Sequence, residues 1–280
     1  MTWRGGGVLL LCAESELAIA VRSRWTRIFA TVFAAIALAV AASGYVLSGG
    51  HGVQDFARTS ASLLDLVLLL VPVAAILLGV LALAPERGAS ELLFAQPVRR
   101  TAVLIGKAMG LFAALAAAQA IGFGLAGVVI FASAGGDGLS GYLLLFAGSL
   151  VLTAIFVGLA ALIAAGPVGR RARALAVGLV VWFVIVVLFD VVALGVASVL
   201  PSGTASRLLI VAVIANPIDA VRTGVLLATQ GTAAFGAASL AFFRFVRGPL
   251  GAVVGLSLSL AVWLVVPAVL AARRLARTDL

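Results

Sequence analysis

Few side chains in this 280-residue sequence could carry out chemistry, and their spacing excludes more than it suggests. His51 is the sole histidine. A zinc-binding HExxH helix or a Ser/His pair within a membrane would need residues that the chain lacks or holds only in a loop. No GxSxG nucleophile turn occurs. A GxxxxGK[ST] phosphate cradle is missing too, because Thr101 stands where Gly106-Lys107 would need the first glycine. The chain therefore cannot hold ATP by a P-loop. Soft-metal chemistry needs thiolate, thioether or imidazole, and the sequence offers only Cys12, His51, Met109 and the initiator Met1. No catalytic, cofactor-binding or metal-ligating set emerges.

Two polar features stand out in apolar surroundings. Asp190 lies inside WFVIVVLFDVVALG, and an acid within a membrane span is a functional candidate. The structural alternative is a bond to a neighbouring helix or to an external arginine. Asn216-Pro217-Ile218-Asp219, with Arg222 following, reads as a helix boundary with Asp219 in the first turn. A substrate contact is the competing role for that group.

The elements that must position these residues are membrane helices. Hydrophobic residues make up 64% of the chain and charged residues 10%, with a mean hydropathy of +1.28. A net charge of +9 is compatible with a nucleic-acid partner, but the cations sit dispersed at the ends of apolar runs, so no nucleic-acid partner is expected. The charged first 27 residues lack the clean apolar core of a cleavable signal, and one cysteine excludes an internal disulfide.

In chain order, residues 1–27 read as an amphipathic interfacial helix, with Leu17, Val21 and Trp25 on one face. Spans are expected at 28–47 and 66–84, joined by a polar connector over 48–62, with Pro72 inside the second. Three more fall within 108–200, interrupted by the turn AGGDG and the basic loop GRRAR at 169–173. Residues 201–250 are too broken to cross simply, 251–272 is the last span, and 273–280 is a basic tail. With six spans and both termini cytoplasmic, fourteen of the nineteen Lys and Arg lie inside. A seventh span would carry the last three arginines outside, so 201–250 is read as external or re-entrant helices. The fold class is thus an all-α polytopic bundle forming a single domain. The GxxxG matches Gly106/Gly110 and Gly251/Gly255 are expected by chance with 31 glycines, and carry no weight as a dimerisation signal.

Residues 85–107, PERGASELLFAQPVRRTAVLIGK, are the longest polar interruption. Ser90 reads as an N-cap, Glu91 suits the first turn, and Pro97 stops a helix too short to span. Leu92, Leu93 and Phe94 give it an apolar side. Such a helix, tied to a span at each end, could pass force from a soluble partner into the membrane; an ordinary interfacial loop is the alternative.

This layout resembles the permease subunits of ABC type-2 (type V exporter) transporters, above all the branch serving maturation of nitrous oxide reductase. The matching pieces are ELAIAVRSRW (16–25), residues 85–107, WFVIVVLFDVVAL (182–194) and ANPIDAVR (215–222). The family often has a second acid at the position of Ala84 and a threonine at that of Ala89. The resemblance implies a homodimer bound to two cytoplasmic ATPases, which hold the ATP and Mg, with a periplasmic accessory protein outside and a multi-pass location in the bacterial inner membrane. It assigns the ATPase-coupling helix to Glu86, Gly88, Ser90, Glu91, Leu92, Leu93, Phe94, Gln96 and Pro97. A permease exporting lipid, drug or polysaccharide, and a non-transporting scaffold, are the other readings.

Overall fold

The computed structural model describes residues 5–46, 52–84, 100–134, 138–166, 170–231 and 236–277, and among these the chain is helical without strands. In order run α1 (Gly5–Arg22), α2 (Arg24–Val46), α3 (Gly52–Leu83), α4 (Arg100–Ala134), α5 (Leu139–Ala164), α6 (Arg171–Phe183), a π-helical turn (Val184–Leu188), α7 (Phe189–Ser198), α8 (Ser202–Ala215), α9 (Pro217–Gln230), α10 (Ala237–Phe245) and α11 (Pro249–Arg277). Six stretches are long and apolar enough to cross a membrane: Arg24–Gly44, Arg58–Leu83, Arg100–Ala132, Leu139–Ala164, Arg171–Ser198 and Pro249–Ala276. At 1.5 Å per residue the shortest, 21 residues, reaches about 31 Å, enough for the hydrocarbon layer.

The bundle is built around α3, α4 and α5. Half of each of their spanning windows is buried, against 6% for the span through α6 and α7. Leu63, Leu64, Ile76, Leu111, Leu115, Leu152, Ile155 and Phe156 fill the core. An aromatic run, Phe33–Phe123–Tyr142–Phe131, ties α2, α4 and α5 together with centroids 5.3–5.7 Å apart. The same interface carries one buried polar ladder. Gln119 Nε2 donates to Thr153 Oγ1 at 2.7 Å, and Thr153 Oγ1 donates to the Ser149 carbonyl.

Helix ends depart from the sequence reading where polar residues mislead. Residues 52–62, read as connector, are the first turns of α3; no breaker stands between Gly52 and Pro72, so the helix runs through its polar start. Arg100–Lys107, assigned to the central loop, open α4, and Arg171–Arg173 open α6. The basic tail is helical to Arg277. Leu17, Val21 and Trp25 do not share a working face, because the chain breaks at Ser23 and Trp25 belongs to α2. Val21 and Trp25 are exposed, and the buried face of α1 holds Glu16 and Ala20 instead.

That face packs on α4 through Gly106 and Gly110, the GxxxG pair that has no weight as a dimerisation signal. A Cβ at Gly106 would lie 2.7 Å from Cys12 Cβ and the Leu9 carbonyl oxygen. One at Gly110 would lie 2.3 Å from the Ala13 carbonyl oxygen. The two helices thus touch backbone to backbone, which only glycine permits. In the second match Gly255 has open space around it, and Gly251 lies against the Val246 carbonyl in the turn just before α11.

Candidate functional site

Helices α8 and α9 meet at a bend of 99°. Pro217 has no N–H and takes the first position of α9, and Asn216 caps it, its side chain accepting from Ile218 N at 3.0 Å. The other end of the same amide donates to the Ile185 carbonyl at 2.9 Å. That carbonyl is available because Phe189 N–H bonds back to Val184, five residues away, within the π-helical turn. At the end of α8, the Ala215 carbonyl has no intrahelical donor and accepts from Trp263 Nε1 of α11 at 2.8 Å. The bend therefore knots three segments through groups that regular helices would have consumed.

Charges close the same junction. Asp219 stands in the first turn of α9, where the helix dipole favours an acid. Arg222 Nη1 lies 3.4 Å from Asp219 Oδ1 and 3.7 Å from Asp190 Oδ2. Asp190 is eight residues from the end of its span at Ser198, about 12 Å of helix rise. An acid at that depth needs a partner, and the arginine supplies it. The bend thus brings Asp190, Asn216, Pro217, Asp219 and Arg222 into one cluster. With every group charged, two carboxylates on one guanidinium leave a surplus of one negative charge. No nucleophile–base pair is present in the cluster, and among the described residues no three His, Cys, Asp or Glu side chains converge as a metal site.

A second junction lies where α3 and α4 enter the central loop. Glu16 of α1 is 4% exposed, and its Oε2 lies 3.5 Å from Lys107 Nζ. Lys107 also donates to the Ala82 carbonyl of α3 at 3.4 Å. Sequence reasoning missed Glu16, Lys107 as a contact, Ile185 and Trp263. Only Glu16 carried a signal, as an acid followed by the apolar run LAIAV. The coupling-helix residues Glu86, Gly88, Ser90, Glu91, Leu92, Leu93, Phe94, Gln96 and Pro97 lie outside the described residues.

Residues 10–280 match the ABC-2 family transporter protein family. The chain belongs to that family. It is 32% identical over 235 residues to the "Probable ABC transporter permease protein NosY" of Stutzerimonas stutzeri, covering 81% of this chain and 85% of the relative. The protein of the same name from Pseudomonas aeruginosa is 34% identical over 241 residues, covering 84% and 87%. With six apolar spans, this ABC-2 permease is a multi-pass protein of the inner membrane. The two junctions are therefore those of a transporter subunit, one midway along its spans, at Ile185 and Trp263, and one beside the central loop.

Proposed function

We propose that this permease passes the work of a separate cytoplasmic ATPase across the membrane, in the copper- or sulfur-dependent maturation of nitrous oxide reductase. Similarity along most of the chain to two NosY permeases carries this reading. Two copies of the chain would bind two ATPases, which hold the ATP and Mg, and a periplasmic accessory protein would meet the outer face. Both termini are then cytoplasmic, and the helix expected over Ser90–Gln96 docks into the ATPase through Leu92, Leu93 and Phe94. The α8–α10 segment belongs to the outer side.

The soft-metal ligands argue for mechanical coupling, or passage of a small non-metal species, over a copper relay. Cys12 packs against Gly106, one turn from Met109. His51 adjoins Gly52, the opposite end of the 32-residue α3, about 48 Å from its loop end. Cu(I) would have no thiolate, thioether or imidazole on the way.

Phe94→Asp tests the docking. A buried aromatic anchor of this kind contributes about 2 kcal/mol or more, on the order of thirtyfold in affinity. The variant should insert normally and lose its ATPase on purification. Retention of the ATPase would reduce the loop to a connector.

A further inference from the structure

Residues 84 and 100 bracket the central loop, and both of its stems meet one cation. Ala82 stands two residues before the last described residue of the first stem, and Lys107 stands seven residues into the second, about 10 Å along α4. Lys107 holds the Ala82 carbonyl and the Glu16 carboxylate together. Glu16 is buried, whereas the Lys107 side chain is 37% exposed, so the lysine reaches inward from a partly wet edge to a carboxylate with little water of its own. Around this contact α1 lies on α4 with no slack, since Gly106 and Gly110 place backbone against backbone.

We infer that Glu16 and Lys107 make α1 a working part of the coupling element, locking it to both stems of the loop so that displacement of the loop carries α1 with it. An ion pair needed only to seat α1 would engage α4 alone. Here the same ammonium also bonds the Ala82 carbonyl of α3, so the stems cannot separate or slide without disturbing the lysine that holds α1. A close-packed interface of this kind moves as a body instead of deforming. Glu16 and Lys107 are thus positioning residues for transmission. The inference rests on the proposed docking of an ATPase at the loop.

The test uses the complete permease–ATPase complex with Cys12→Ser and a spin label at Ile19→Cys, a position 61% exposed on α1. The distance between labels on the two copies reports movement of α1. In the parent complex, ATP with vanadate should shift that distance. In Glu16→Gln, which keeps the side-chain shape, and in Lys107→Met, the ATPase should stay bound and hydrolyse ATP while the shift is abolished. A full shift in Lys107→Met, or no shift in a parent that hydrolyses ATP, would overturn the inference. Loss of the ATPase from both single variants would also overturn it, because the pair would then serve assembly. A parent complex that never binds an ATPase would instead remove the proposed function and this inference with it.

Discussion

Gly110→Ala should loosen α1 from the bundle, and the size of the effect can be worked from the packing. The added methyl would lie 2.3 Å from the Ala13 carbonyl oxygen and 2.9 Å from both Glu16 Cβ and Leu17 N. Ordinary contact begins near 3.4 Å. Two of the three atoms are backbone, so no side-chain rotation relieves the clash, and α1 must retreat by about 1 Å. Overpacking of this kind costs about 1–3 kcal/mol. Alanine also returns about 1 kcal/mol of helix propensity, which would mask part of the loss. Gly255→Ala removes that ambiguity. It receives the same propensity gain within α11 but meets nothing within 4 Å. The difference between the two variants isolates the packing cost, about 1–3 kcal/mol, which corresponds to roughly 2–4 °C of melting temperature per kcal/mol. Thermal unfolding in detergent measures it. Labelling of Cys12, which the α1–α4 contact half-covers, should also quicken in Gly110→Ala. A Gly110→Ala protein that melts no lower than Gly255→Ala and labels no faster would refute the close approach of the two backbones.

Asn216→Ala removes both a helix cap and the bond to Ile185, so it should destabilise the subunit by about 2 kcal/mol in the same melting assay. A loss no greater than that of an exposed alanine substitution would mean that the bend holds itself. In a Cys12→Ser background, cysteines at Gly169 and Thr278 should be shielded from impermeant thiol reagents added outside, and one at Gly52 should react; reaction at Thr278→Cys would end the six-span arrangement with cytoplasmic termini. The triple variant Cys12→Ser, His51→Ala, Met109→Leu should support near-normal reductase maturation in a host where that can be assayed. Loss of maturation with the complex intact would show that one of those residues handles metal.

The sequence shows the apolar runs plainly because a bilayer demands some twenty predominantly apolar residues per crossing, although the uncharged run over 223–243 imitates one and is divided between two shorter helices. The Asn216-Pro217 boundary was legible for a similar reason, since a capping side chain followed by a residue without an N–H is local chemistry. Helix starts were not. Arg100–Lys107 and Arg171–Arg173 look like loop because they are charged, yet a helix leaving the membrane continues through polar residues until a breaker stops it. Contacts between distant residues were hidden in a different way. The pairing of Asp190 with Arg222 was open only as one of two roles for an intramembrane acid. Glu16 and Lys107 lie 91 residues apart, and no periodicity links them. The Gly106/Gly110 match carries no weight as a dimerisation signal because its frequency equals chance, and frequency says nothing about what the pair touches within one chain.

The seat of α1 also sets an order of events during synthesis. Gly5–Arg22 leaves the ribosome well before the groove that receives it, at Gly106 and Gly110, which is made about ninety residues later. At roughly 5–20 residues per second, α1 waits some 5–20 seconds with its glutamate still hydrated. Spans α2 and α3 must enter the bilayer while it waits. Docking of α1 can begin only after α4 has emerged, so a segment translated before every span is among the later ones to reach its place.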